Sequence, residues 1–310
     1  MSKLLRSGVR RYVRSYVFWL AIIITIGVAV ACGISARQFA YDDFYFMIIL
    51  IANAVMISWI VGSEHEEGVR NKVISGHTKG SIYFSELILG VAASAILYLL
   101  FAMIFFGINS YIIGHAPNSI AIKIFLCGVL ASACAASILA TISCMISHRA
   151  IVAIVNILLI LGLIFASQTI DNMLSRPEYW EEYDYEYEEI VDEEGNVHLG
   201  MSPIEGSMHL VENPDYINSP VREILNVIGQ LSPFTPIREG GNVTYGWFGY
   251  NMQVSSNSSN NSHTIWDNEA DFSVTKDENT SLNVSLIFTS VELIVIGCIG
   301  YFFFRKKELK

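Results

Sequence analysis

Charge is scarce in this chain, cysteine is scarcer, and both are unevenly placed. Only 15% of the 310 residues are charged against 53% hydrophobic, and the mean hydropathy is +0.45. That balance excludes an ordinary soluble globule, in which about a quarter of the residues carry charge. The five cysteines (Cys32, Cys127, Cys134, Cys144 and Cys298) all lie in apolar stretches, and none falls between Asp171 and Asn283. A disulfide framework is therefore not implied, no CxxC pair offers a metal site, and the thiols read as small hydrophobes. The chain also lacks a P-loop, a GxGxxG turn, an HExxH pair and a GxSxG elbow. Nucleotide hydrolysis, dinucleotide binding, zinc proteolysis and serine hydrolysis thus have no signature. His65-Glu66-Glu67 begins like a zinc motif but lacks the second His one turn on, so these residues read as solvated charges.

What the chain has in quantity is long apolar runs. A helix needs roughly 20 mostly apolar residues to cross about 30 Å of hydrocarbon. Six segments meet that need: Tyr16 to Ile34, Phe44 to Val61, Ser85 to Asn109, Ile120 to Ile146, Ala150 to Ile170 and Val284 to Phe304. Lys3, Arg6, Arg10, Arg11, Arg14, Arg70, Lys72, Lys79, Arg149, Arg305, Lys306, Lys307 and Lys310 collect on one side of that arrangement, against Arg37 and Lys123 on the other. The bias predicts both termini inside. "AVACG" (Ala29 to Gly33) places Cys32 where a lipoprotein cleavage box would have it, but the apolar run is long for a signal and Ala29 fits poorly, so an uncleaved anchor is expected.

Between the fifth and sixth runs, Asp171 to Asn283 carries 21 acidic residues against four basic ones, a net of −17, leaving the remainder at +7. The acidic balance thus belongs to one external segment. Within it, "EYWEEYDYEYEEIVDEEGNVHL" alternates aromatic and acidic residues before a Gly-containing turn, which predicts a β-hairpin. "SPVREILNVIGQL" (Ser219 to Leu231) predicts a helix with Ser219 as cap, Pro220 first, and Val221, Ile224, Leu225 and Ile228 on one face. "VSSNSSNNSHT" (Val254 to Thr264) reads as a loop, and "DNEAD" (Asp267 to Asp271) as solvated acids rather than a calcium loop.

Polar groups inside apolar runs are costly and need a partner. Glu292 stands about nine residues into the sixth run, and Asn53 and Asn156 lie inside the second and fifth. Glu292 is expected to face a bundle, an interface or a cavity, either for a subunit or substrate contact or for structural hydrogen bonding. Gly128, Ser132, Ala136 and Ala140 recur every four residues, as do Gly90 and Ser94, and read as packing stripes. "RSGVRRYVR" puts Arg6, Arg10 and Arg14 on one helical face, which suits either a helix at the anionic inner leaflet or a simple topology anchor.

The most polar short connection, "EHEEGVRNKVISGHTKGSIYFSEL" (Glu64 to Leu87), lies between the second and third runs. Val69, Val73 and Ile74 recur at helical spacing, with Glu64, Glu66 and Glu67 expected at the helix start, Gly76 as a left-handed stop, and Thr78 or Ser81 capping the next helix. A projecting short helix with charges and exposed aliphatics predicts a docking surface.

Here Glu67-Gly68, Arg70 to Ser75, Gly76, Lys79 and Glu86 resemble the cytoplasmic region after the second helix of type-two ATP-binding-cassette (ABC) transporter permeases, in particular Gram-positive bacterial variants. "NPDYINSPVREILNVIGQLSPFTP" resembles an external passage of the same variants. A Lys commonly stands in that family where this chain has Glu86. The resemblance implies an all-α integral membrane protein with six transmembrane helices, cytoplasmic termini, and a small mixed α/β extracellular domain between helices five and six. It divides the chain into 1–170, 171–283 and 284–310, with a coupling helix at about 64–80. It implies a multi-pass cell-membrane protein that is not itself an enzyme: an exporter subunit that binds no cofactor, with ATP and Mg on a separate ABC ATPase subunit. A second permease subunit and the lipid bilayer are its other partners, and no nucleic acid is expected. Glu67, Gly68, Arg70, Asn71, Lys72, Gly76, His77 and Lys79 would form the ATPase-coupling interface, with Asn53, Asn156 and Glu292 as intramembrane polar contacts. The competing reading is a membrane sensor or immunity protein whose acidic external domain binds a cationic peptide.

Overall fold

The structure is a computed structural model, and it describes residues 1–35, 43–112, 118–146, 148–182, 184–191, 197–204, 207–230, 232, 234–235 and 276–306. "DNEAD", the 254–264 loop and the tail beyond Lys306 lie outside them. The described chain is mostly helical. Five helices are long and apolar enough to cross a membrane, the make-up of a multi-pass membrane protein. These are α2 (Tyr16–Ser35), α5 (Lys79–Ile112), α6 (Asn118–Met145), α7 (Arg149–Leu174) and α9 (Lys276–Lys306). The remaining helix of this kind, α3 (Asp43–Glu67), has a shorter described apolar stretch, Phe46–Gly62. A basic helix, α1 (Ser2–Arg14), precedes α2, and the six-residue α4 (Val69–Ile74) joins α3 to α5.

The chain forms two compact units, Met1–Ser167 with Gln230–Lys310, and Gln168–Gly229. In the first, α6 is the most enclosed helix, and the reason is its small residues. Ala131 to Ser137 are all buried, as are Leu139 and Ala140. A Cβ on Gly128 would overlap the Tyr98 ring of α5, Ser94 Oγ donates to the Ser132 carbonyl at 3.2 Å, and a Cβ on Gly90 would stand 3.5 Å from Ala140. The predicted stripes are thus the α5–α6 contact, where close backbone approach replaces the hydrophobic drive that lipid cannot supply. At the other end of α5, Gly80 and Gly300 receive the rings of Tyr301 and Tyr83, Tyr83 Oη and Thr141 Oγ1 lie 2.9 Å apart, and Phe84 stacks on Tyr301. The start of α5 is thereby fixed to the end of α9 and to α6.

Asn156 explains how α7 joins this unit. Its fully buried Nδ2 donates to Ser58 Oγ of α3 at 2.7 Å and to Ser143 Oγ of α6 at 3.1 Å. Each serine in turn donates to the carbonyl one turn back in its own helix, Ala54 and Leu139. One amide therefore ties three helices by hydrogen bonds inside the bundle. Nearby, Arg149 lies over Trp59, and Gly62 leaves room for the α7 backbone.

The second unit is a β-ribbon followed by a helix. β1 (Tyr179–Glu182) pairs antiparallel with β4 (His209–Glu212), and β2 (Tyr185–Val191) with β3 (Val197–Pro203), the latter in the register Val191↔Val197. The predicted hairpin is the inner pair. The outer pair was not foreseen, because β4 carries no alternation long enough to announce a strand. The helix α8 (Ser219–Gln230) is in place, but Asn218 rather than Ser219 occupies the cap, its carbonyl accepting from the Arg222 amide, so Pro220 is second in the helix. Arg222 donates to the Leu174 carbonyl at 2.5 Å, placing a cation at the C-terminal end of α7, where the helix dipole favours one.

Candidate functional site

The predicted docking stretch folds as a short helix between two breaks. α3 runs without interruption through Glu67, because nothing before Gly68 stops it. Glu64, Glu66 and Glu67 therefore close α3 rather than open α4, whose first turn has no acid. Gly68 makes the first break. The second is a Schellman motif: the His77 amide donates to the Lys72 carbonyl and the Gly76 amide to that of Val73, both at 3.0 Å, with Gly76 at φ +89°. A side chain at Gly76 would be strained in that left-handed conformation. Thr78 Oγ1 then accepts from the Ser81 amide at 3.2 Å and caps α5.

These breaks decide which side chains face outward. Val69 is buried and Val73 half-buried, so the apolar edge of α4 rests on its own protein. Arg70, Asn71 and Gly76 are exposed, and Ile74 is 73% exposed. Two members of the predicted interface set, Lys72 and Lys79, instead contact their own protein. Lys72 turns inward to Glu86, 3.3 Å from Oε1, and Lys79 donates to the Arg305 carbonyl of α9 at 3.5 Å. His77 is half-buried, and the side chain of Glu67 lies outside the described residues.

Glu86 is the centre of the site. Its side chain is only 4% exposed, yet it holds two cations: Lys72 of α4, and Arg11 of α1, whose Nη2 donates to Oε2 at 2.5 Å. The sequence explains why α1 delivers that arginine. Gly8, Arg11 and Tyr12 lie at i, i+3 and i+4 on α1, opposite Glu86, Leu89 and Gly90 at the same spacing on α5. Gly8 leaves room for Leu89, and the Tyr12 hydroxyl comes close to Gly90. Burial first, then the Glu86 carboxylate, push the Tyr12 phenol well above its ordinary pKa, so it stays a neutral O–H. Among the described residues that hydroxyl has no hydrogen-bond partner.

In the sequence Arg11 is one of several basic residues, and Glu86 stands out only as a departure from the pattern that the stretch resembles. The available signal was geometric: Arg11 alone among the arginines of α1 shares the face of Gly8 and Tyr12, while Glu86 is a lone acid at an apolar helix start.

Burial is also the largest influence on Lys72, and it lowers the amine's pKa against the opposing pull of Glu86. The unfolded chain therefore keeps the Lys72 proton to higher pH than the folded one, and between the two values the unfolded state binds more protons. Stability should rise with pH across that interval, which ends near the ordinary lysine value. Thermal unfolding of the wild type should show an alkaline gain that Lys72→Met lacks; identical profiles would contradict the burial argument.

The intramembrane polar residues separate into different roles. Asn156 is the knot described above. Asn53 is fully buried, and neither amide atom has a hydrogen-bond partner among the described residues. Glu292 lies beside Cys134 of α6. Among the described residues no three His, Cys, Asp or Glu side chains converge as a metal site would require. No protein-family model, characterised protein or solved structure matches this chain.

Proposed function

We propose that this chain is the membrane-spanning permease subunit of an ABC transporter, an exporter in which α4 is the coupling helix for a separate ATPase subunit. Its six spanning helices would be α2, α3, α5, α6, α7 and α9, with both termini cytoplasmic and the Gln168–Gly229 unit in an extracellular domain. The single observation that carries the reading is the geometry of α4: a six-residue helix, broken at both ends, with Arg70, Asn71 and Ile74 outward and Lys72 tied inward to the base of α5. A helix that rests on its own bundle with one edge and offers charge plus a bare aliphatic with the other has the form of a docking element. The rigid connections behind it supply a route for motion. A push on α4 reaches α1 and α5 through Glu86, and reaches α9 and α6 through the aromatic contacts at the start of α5. An ATPase whose shape changes with nucleotide would bias such a two-state element only by differential contact with it.

The partner carries ATP and Mg, and a second permease, identical or related, completes the pathway. Purified from its native membranes, the tagged chain should bring with it an ATPase subunit and Mg-dependent ATP hydrolysis. Recovery of the chain alone, with signalling to a cationic peptide intact, would favour the sensor reading instead.

A further inference from the structure

We propose that the outward face of α1 is a built site for the headgroup of an anionic phospholipid in the cytoplasmic leaflet. Lys3, Arg6, Ser7, Arg10, Arg11 and Arg14 line one shallow depression, and α1 contains no acidic residue. Between this basic strip and the packed face, Val9 and Val13 are each 50% exposed. The helix thus presents three faces in order: a packed one (Leu4, Gly8, Tyr12), a bare aliphatic one, and a cationic one. A phospholipid matches the last two together, its phosphate on the arginines and its acyl chains along the valines.

The position of α1 narrows the occupant further. Ser15 is extended (φ −77°, ψ 124°), and the membrane-spanning composition of α2 begins at the next residue. Trp19 Nε1 donates to the Val13 carbonyl at 2.8 Å, and Tyr16 and Trp19 are exposed at the corner, where interfacial aromatics belong. A site one residue from a spanning helix lies at the membrane boundary, within reach of lipid phosphates. The arginine network is also preorganised, since Gly8 and the Arg11–Glu86 pair hold α1 against α5. The inference rests on the proposed topology, with α1 cytoplasmic, but not on ATPase docking; the two are read by different assays, and either can fail alone.

The test uses the full chain, purified from membranes in mild detergent and offered equal amounts of phosphatidylglycerol and phosphatidylcholine, with retained lipid read by native mass spectrometry. The wild type should retain phosphatidylglycerol at least about tenfold over phosphatidylcholine, since each basic side chain near an anionic surface is worth about fivefold. Arg6→Gln/Arg10→Gln/Arg14→Gln should abolish the preference, and Val9→Gln/Val13→Gln should weaken retention of both lipids. The Arg11–Glu86 pair is intact in both variants, so the unfolding midpoint should hold. Equal retention of the two lipids by the wild type would overturn the proposal, as would an unchanged preference in the arginine variant. Displacement of the lipid by millimolar inorganic phosphate would also overturn it, because it would mark a free-anion site, and tighter binding of a short RNA would mark a nucleic-acid surface. If the arginine variant fails to fold, the valine variant and the phosphate competition decide.

Discussion

Glu86→Gln is expected to lower the stability of the helical unit by about 3 kcal/mol and, in the proposed transporter, to weaken the link between α4 and the helices behind it. The magnitude follows from what is left behind. Removing one member of a buried ion pair strands its partners, a loss of about 3–5 kcal/mol in enclosed settings. Arg11 and Lys72 side chains are 23% and 19% exposed, so solvent softens the penalty toward the lower figure. The glutamine still accepts hydrogen bonds, but two cations drawn to one acceptor now repel each other.

A second variant separates structure from coupling. Arg11→Gln/Lys72→Met/Glu86→Gln removes all three charges together, and replacing a whole buried charge set by neutral groups is often close to neutral for stability. It should therefore unfold near the wild-type temperature. In the proposed complex, ATP hydrolysis by the partner subunit should nevertheless respond poorly to substrate, because the side-chain ties of α4 to α1 and α5 are gone. Unfolding in detergent checks the first statement, and substrate-stimulated hydrolysis by the reconstituted complex checks the second. A fully coupled triple variant would reduce the cluster to a packing device.

The second large effect is expected on the outer edge of α4. Arg70→Glu with Ile74→Asp should abolish association with the ATPase subunit while leaving membrane insertion and unfolding unchanged. Both side chains are exposed and neither has a hydrogen bond or ion pair among the described residues, so the fold loses nothing when they change. An interface would lose a cation and a bare aliphatic, and would gain two desolvated acids, each worth several-fold or more in affinity. Lys72→Glu is the informative contrast. Its side chain faces Glu86, so reversal there should harm stability first and association second. Equal losses of insertion and association for the Arg70 and Ile74 changes would indicate misfolding rather than a broken interface.

Much of this architecture was legible in the sequence because apolar runs, glycine stops and small-residue stripes act locally. The six predicted runs each became a helix, with Gly76 left-handed as expected and Gly128 and Gly90 at the α5–α6 contact. The misses share a physical cause. Where α3 ends depended on the absence of any breaker before Gly68, so the acids read as the start of α4 belong to α3. The role of Glu86 depended on residues 75 and 14 positions away, and no local pattern encodes such a meeting. Lys72 is grouped by sequence with the outward interface residues because a helical wheel shows which face a residue is on, not which face is covered. The outer ladder β1·β4 likewise joins short segments about 30 residues apart, each too brief to declare itself.

The claim at the centre of this account is that α4 touches an ATPase. It is tested most directly by replacing Ile74 with a photoreactive phenylalanine analogue in otherwise wild-type chain and irradiating native membranes. The account predicts one dominant crosslinked product containing a nucleotide-hydrolysing subunit, lost when Arg70→Glu is added. Efficient crosslinking to lipid or water alone, in membranes where the chain remains active, would contradict it.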